Sequence, residues 1–228
     1  MAEENPMFKI EETPYLNDFI DRICQLRNGI YQDTNVVAHV EEAIADASVQ
    51  CQKYFGEVPK VNIHDKRKQK HFIYIPEHLH HISFELLKNS MRAVCETHPK
   101  NLKPIDIIIV DTPETVTIKI ADKGGGIPRA DMEKIWLYSY TTAVDPYGRT
   151  RKELFALLQK EAQSAPNREM LVALKNIPMF GLGYGLSLAR LYARYYGGDC
   201  NIFSVHGYGT DTYVYLNDLS KSNAAIIG

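Results

Sequence analysis

Thirteen residues, "HISFELLKNSMRA" from His81 to Ala93, carry an unusual density of reactive side chains for a segment that reads as helix. On a helical wheel at about 100° per residue, His81, Glu85, Lys88, Asn89, Arg92 and Glu96 fall within an arc of roughly 100°. Leu79, Ile82, Leu86 and Ala93 form an apolar stripe on one side of that arc. Phe84, Leu87, Met91 and Val94 form a second on the other. A surface helix has one apolar stripe and a broad polar face, so the proportions are reversed here. The polar arc must face solvent through a slot or line a cavity. A solvated face is the simpler account of any line of charges. Asn89 argues for the cavity, because Asn is a poor helix residue and a wet face more readily takes Gln or Lys. One turn after Glu85 it supplies a neutral oxygen beside a carboxylate. That pair suits a hard cation such as Mg²⁺, which keeps waters and phosphates as ligands. His81 and Glu85, at i and i+4, can meet on one face.

Three glycine-bearing stretches extend the pattern. In "IADKGGGIP", Asp122 ends a strand and is followed by Gly124 and Gly126; taken alone this is a tight turn, with an acceptor aimed into it. It is not a dinucleotide fingerprint, since Pro128 follows and no G-x-G-x-x-G opens a helix. "FGLGYGLSLARLY" places Gly181, Gly183 and Gly185 before a helix, where unpaired N–H groups and the helix dipole favour phosphate. The simpler alternative is a hinge; with no preceding strand and no GK[ST], neither a Rossmann turn nor a Walker loop fits. "HGYGTD" adds Gly207, Gly209 and Thr210 and by itself is a hairpin turn.

Composition limits the classes. The chain has 228 residues, 45% hydrophobic and 24% charged, enough for one large domain of the ordinary globular type. A net charge of -2 gives no argument for nucleic acid or an anionic membrane. No apolar run approaches the ~18 residues of a membrane span, and the acidic start "MAEENPMFKIEE" reads as neither signal nor transit peptide. Cys24, Cys51, Cys95 and Cys200 are far apart with no CxxC, which fits a reducing compartment better than disulfides or zinc.

The elements follow from periodicity. Residues 14–29 and 35–55 are expected as amphipathic helices, the second with Val37, Val40, Ala43, Ile44, Ala47 and Cys51 at helical spacing. "KQKHFIYIP" alternates and predicts a strand ending at Pro76. "IDIIIVDTPETVTIKIADKGGG" predicts a hairpin turning at Thr112-Pro113, and "RADMEKIWLYS" a short helix. Residues 141–180 are polar and proline-punctuated, with two short helices, one of them "RTRKELFALLQKEAQ". A last helix stops at Gly197-Gly198, and "CNIFSVHGYGTDTYVYL" closes with two strands. The expected fold class is α/β, a two-layer sandwich with a mixed, largely antiparallel sheet.

In order and spacing, E-x-x-x-N on a helix, D-x-G-x-G after a strand, G-x-G-x-G before a helix and G-x-G-T resemble the GHKL (Bergerat) ATP-binding fold of gyrase, Hsp90, histidine kinases and mitochondrial dehydrogenase kinases. The resemblance covers roughly residues 35–217. "HLHHISFELLKNSMRA", "DKGGGIP" and "GLGYGLSLARLYARYYGGD" look closest to the mitochondrial 2-oxoacid dehydrogenase kinase family, pyruvate type first and branched-chain type second. The resemblance implies ATP and Mg²⁺, with Asn89 as the Mg²⁺ ligand. It makes Glu85 the general base toward a serine hydroxyl, tuned by His81, and Lys88 and Arg92 either phosphate contacts or groups that hold Glu85. Asp122, with Thr210, Gly124 and Gly126, would receive adenine. Gly181, Leu182, Gly183, Tyr184, Gly185 and Leu186 would line the triphosphate, and Thr141 and Thr142 would begin a lid across 141–180.

It further implies the E1α subunit of a 2-oxoacid dehydrogenase complex as substrate, the lipoyl domain of E2 and a second copy of the chain as partners, and the mitochondrial matrix as location. The expected division is an N-terminal helical extension, 1–34, and an ATP-binding kinase domain, 35–228. Three departures bear on lipoyl-domain binding and tail exchange. There is room for only about one helix before residue 35, the only Trp is Trp136 where the family's tail has an Asp-Trp pair, and Val144–Ile177 is longer than the family's lid. A histidine kinase is a rival, but His39 in "NVVAHVEEA" lacks H-E/D-x-R-x-P. A regulatory or chaperone-type ATPase module is another, against which stand both His81 and Glu85. HRD, DFG and VAIK are absent, which excludes the ordinary protein kinase.

Overall fold

The computed structural model describes residues 33–69, 71–138, 140–142, 153 and 183–221. The helix expected at 14–29 lies outside these, as does the expected lid apart from Thr141, Thr142 and Glu153.

Helix α1, Val36–Phe55, opens where the Asn35 side chain accepts from the Ala38 N–H at 3.2 Å. It stops at Gly56, whose φ of +75° is easy only for glycine. Its buried side chains recur every three or four residues: Val36, Val40, Ala43, Ala47 and Cys51. After β1, Val61–Asp65, comes α2, Pro76–Thr97, with proline in its first turn, where no N–H is needed. Helix α2 buries Leu79, Ile82, Leu86, Leu87, Met91 and Val94, packing on both α1 and α3 as its two stripes require. Strands β2, Ile105–Asp111, and β3, Thr115–Asp122, form the expected hairpin, with Thr112 N–H donating to the Thr115 carbonyl at 2.8 Å. Helix α3, Gly185–Tyr195, leads through Gly197 into β4, Asp199–Val205, and β5, Gly209–Asn217.

The sheet order is β1-β2-β3-β5-β4, with β1 parallel to β2 and the other pairs antiparallel. Alternate residues Ile105, Ile107 and Ile109 on β2, Val116, Ile118 and Ile120 on β3, and Val214 and Leu216 on β5 are buried in the same core as α1 and α2. Ile107 faces Ile120, and Ile109 faces Ile118, across the β2–β3 ladder. The expected α/β sandwich with a mixed, largely antiparallel sheet is therefore present.

Three expectations need correction. The expected strand at 68–76 is not one of the sheet's strands in its described residues, 68–69 and 71–76. Its alternation instead serves two distant segments: Thr34 donates from N–H to the Phe72 carbonyl (2.7 Å) and from Oγ1 to the Tyr74 carbonyl (3.0 Å), and Leu219 N–H donates to the Ile73 carbonyl (3.0 Å). The parallel edge strand is β1, which sequence reading missed. Where one helix is expected over 129–139, the described residues 129–138 make two short 3₁₀ turns, Arg129–Asp131 and Lys134–Trp136. Trp136 is claimed from outside: its carbonyl accepts from Ser187 Oγ (3.0 Å), and the Arg190 guanidinium lies 4.4 Å from its ring centroid.

Leu87 has no exposed surface and sits where α2 meets the core. Leu87→Ala is expected to lower unfolding stability by about 2–5 kcal/mol, measured by urea denaturation. A loss below ~1 kcal/mol would mean this helix is not the core's centre.

Candidate functional site

The polar arc of α2 forms one wall of a cavity of about 380 Å³. Glu85, Lys88, Asn89, Arg92 and Glu96 line it, as the wheel requires. The floor is the end of β3 with the turn after it: Asp122, Gly124 and Gly126. Thr210 and Thr212 of β5 flank this floor, and Gly183, Gly185 and Leu186 close the end at the start of α3, with Thr141 and Thr142 beside them. Two nominated residues stand apart. Tyr184 is the N-cap of α3, its ring turned to Tyr138 at 6.1 Å. His81 is half-buried one turn before Glu85 on α2, its ring 5.1 Å edge-on to Tyr192. Gly181 and Leu182 lie outside the described residues.

Glu85 and Lys88 form an ion pair at 3.0 Å, with only 13% and 3% of their side chains exposed. Burial alone would push the Glu85 carboxyl up. The charges of Lys88 and His81 and the Lys88 hydrogen bond outweigh burial, and the carboxyl titrates below its ordinary range. Burial drives His81 the other way, lowering it against the pull of Glu85. Lys88, the larger of the two charges acting on Glu85 and its hydrogen-bond partner, is the cation that keeps it ionised. On its far side Glu85 meets the first turn of α3: any Cβ on Gly185 would collide with Glu85 Oε2. A carboxylate against a helix N-terminus is favourably placed.

At the other end Asp122 is 6% exposed. Its Oδ2 accepts from Ser90 Oγ and its Oδ1 from the Gly124 N–H, both at 2.9 Å. Burial raises its carboxyl above the usual range, despite these donors and the Thr210 backbone. The turn beyond it is fastened to α2: Thr97 Oγ1 donates to the Gly124 carbonyl, and His98 Nε2 lies 2.9 Å from the Lys123 carbonyl oxygen. A Cβ on Gly124 would sit 2.5 Å from Ala93 Cβ, so only glycine fits there. Ser204 Oγ accepts from the Ile127 N–H at 2.7 Å and lies 3.0 Å from Thr210 Oγ1, joining the turn to β5. Arg92 Nη2 donates to Thr142 Oγ1 at 3.3 Å. Sequence reading missed Ser90, Thr97 and Ser204, whose small hydroxyls have no spacing signature.

A deep cavity with a buried acceptor at its base and a helix N-terminus at its far end suits an elongated ligand, amine-bearing at one end and anionic at the other. Among the described residues no group of three or more His, Cys, Asp or Glu side chains could hold a metal unaided. An ion here would rely on ligand oxygens and water, with Asn89, exposed on the cavity wall, as the neutral protein oxygen. That donor set fits Mg²⁺ carried in on a polyphosphate.

Residues 74–219 match the family described as histidine kinase-, DNA gyrase B-, and HSP90-like ATPase, and the chain belongs to that family of ATP-binding domains. Within it the chain is similar to named protein kinases. It is 36% identical over 203 residues to the human protein named pyruvate dehydrogenase (acetyl-transferring) kinase isozyme 4, mitochondrial, covering 86% of this chain and 44% of that protein. It is 40% identical over 183 residues to the Arabidopsis thaliana pyruvate dehydrogenase (acetyl-transferring) kinase, mitochondrial, covering 79% and 45%. To the Schizosaccharomyces pombe protein of that same name it is 36% identical over 193 residues, covering 82% and 41%. The chain thus spans less than half the length of these relatives.

Lys88→Met removes the cation that keeps Glu85 charged, leaving a buried carboxylate alone. At pH 7 the variant is expected to lose roughly 3–5 kcal/mol of stability. The sign of the pH dependence follows from the lowered Glu85 pKa. In the parent, the Glu85 contribution is present above the unfolded-state value and lost as pH falls through the folded one. In Lys88→Met burial dominates, and a neutral Glu85 is the comfortable form. The gap between parent and variant should shrink from pH 7 to pH 4 in urea titrations. A constant gap would show that Lys88 does not set the charge on Glu85.

Proposed function

We propose that this chain is an ATP-dependent serine protein kinase acting on the E1α subunit of a 2-oxoacid dehydrogenase complex. In this reading residues 35–228 form the kinase domain with a lid across 141–180, and residues 1–34 are a helical extension. One observation carries the chemistry. An ionised carboxylate, Glu85, sits against the N-terminus of α3 on the same wall as Asn89 and in the same cavity as Asp122. The names of the relatives carry the choice of substrate.

Adenine is read at Asp122, whose buried carboxylate accepts from an exocyclic amine, with Thr210 at the same end. Gly183, Gly185 and Leu186, continued by Gly181, Leu182 and Tyr184, bring backbone N–H groups to the triphosphate. Asn89 would hold Mg²⁺, which when bound neutralises phosphate charge. Glu85 takes the proton from a serine hydroxyl as the serine oxygen bonds to the γ-phosphorus, the bond from that phosphorus to the β,γ-bridging oxygen breaks, and ADP leaves with the electron pair. Lys88 keeps Glu85 charged, and Arg92 with Thr141 and Thr142 stands where the lid begins. His81, one turn before Glu85, limits its rotation and tunes its basicity. The relatives named mitochondrial support a mitochondrial location, and in this reading the reaction takes place in the matrix. The lipoyl domain of E2 and a second copy of the chain are the remaining partners in this reading.

Incubation with labelled ATP and purified E1 subunits, followed by mapping of the phosphoresidue, tests the proposal. Phosphoserine on E1α is the expected result. Phosphate release with no labelled serine would replace the kinase with an ATPase module, and label on histidine with a histidine kinase. Glu85→Gln should bind ATP nearly as the parent does and lose about 10² to 10⁴ in transfer rate, roughly 3 to 5.5 kcal/mol of barrier, with a smaller loss for His81→Ala. Transfer at the parent rate would remove Glu85 from the role of base. Asn89→Ala should abolish the Mg²⁺-dependent part of ATP affinity in calorimetry without unfolding the protein. Unchanged Mg²⁺ dependence would exclude Asn89 as the ligand.

A further inference from the structure

We infer that Ser90 makes the base end of the cavity selective for a 6-amino over a 6-oxo purine, by fixing Asp122 and adding its own acceptor beside it. The inference rests on the reading of the cavity as an ATP site.

Ser90 lies in the interior of α2, is 5% exposed and lines the cavity. Alanine would serve a purely structural helix position better, because Ser has the lower helix propensity. A mid-helix Ser commonly turns its hydroxyl back to the carbonyl four residues earlier. This one reaches across to Asp122 Oδ2 at 2.9 Å. An ionised carboxylate only accepts, so Ser90 must be the donor, and its proton is committed. The Gly124 N–H occupies one site on Oδ1. What Asp122 and Ser90 themselves still present to the cavity is acceptor only: lone pairs of the carboxylate and of Ser90 Oγ. An exocyclic amine has two N–H groups to offer such a surface. A 6-oxo group presents lone pairs to lone pairs and leaves those remaining acceptor sites unmet.

The hydroxyl also fixes the orientation of the carboxylate. Gly124 holds one oxygen through a backbone that cannot rotate, since the turn is fastened to α2 at Thr97 and His98. Ser90 holds the other oxygen. Without it the carboxylate is held only by the backbone N–H groups of Gly124 and Thr210 and loses the side-chain bond that orients Oδ2 toward the base. Selectivity therefore falls further than affinity.

Competition binding of ATP and inosine triphosphate to the whole chain tests this, because the two differ only at the purine 6-position and its ring proton. The parent should prefer ATP by about 100-fold. Ser90→Ala should keep ATP binding within several-fold of the parent while the ATP-to-inosine-triphosphate ratio falls about tenfold, the scale of one hydrogen bond to a charged group. Ser90→Thr, which restores the hydroxyl, should recover most of the ratio. A purely packing role predicts equal loss for both nucleotides and an unchanged ratio, which overturns the inference and leaves the ATP site standing. A parent chain that binds neither nucleotide removes the ATP reading and this inference together.

Discussion

Helix α2 and the turn after β3 approach each other at Ala93 and Gly124 more closely than any side chain on residue 124 would permit. Every part of the cavity is measured from that contact. It sets the height of Asp122 over the helix, which allows a hydroxyl as short as that of Ser90 to reach the carboxylate. It also sets the order in which residues of α2 follow along the wall from Ala93: Arg92, then Asn89 one turn on, then Glu85 a further turn on. Thr97 and His98 secure the same turn from beyond the contact. A substitution that lifted the turn would therefore disturb the whole wall together.

The two acids of the cavity have been brought to opposite electrostatic conditions by burial of similar depth. Asp122 has neutral donors around it, and burial prevails, raising its pKa. Glu85 has an ammonium group 3.0 Å away, and the cation prevails, lowering its pKa. Carboxylates held apart in this way divide labour, one recognising a neutral base and the other remaining charged where a proton must be accepted. Lys88 is the pivot. It is nearly as inaccessible as the core leucines, and its position is tolerable only because Glu85 is there.

The sequence made the long elements readable because each solves its burial problem locally. In α2 the two apolar stripes and the polar arc were visible on a wheel, and the arc does line the cavity apart from His81, which belongs to the aromatic packing around Tyr192. The isoleucine alternation of β2 and β3 was equally plain. What failed depended on distant partners. Phe72 to Tyr74 looks like a strand because it is extended and apolar, yet it serves Thr34 and Leu219. Val61–Asp65 has four half-buried residues and an exposed His64, and becomes a strand because β2 lies beside it in parallel. At Trp136 the pull of Ser187 and Arg190 overrides a local preference for helix. Nominated site residues were found through glycines and charges, whereas Ser90, Thr97 and Ser204 gain meaning only from what they touch.

The bonds from Thr34 to Phe72 and Tyr74, and from Leu219 to Ile73, bring the two ends of the described fold onto a single three-residue ledge. Chain that precedes residue 33 and chain that follows residue 221 must leave from neighbouring points on one side of the molecule. The ledge joins α2 directly, through Ile75 and Pro76, and joins the sheet as directly, through Asp218 to the end of β5 at Asn217. The same geometry makes the connectivity negotiable. A short linker between the two ends, with new termini opened in the turn at Thr112–Glu114, would preserve every strand neighbour except the covalent one between β2 and β3.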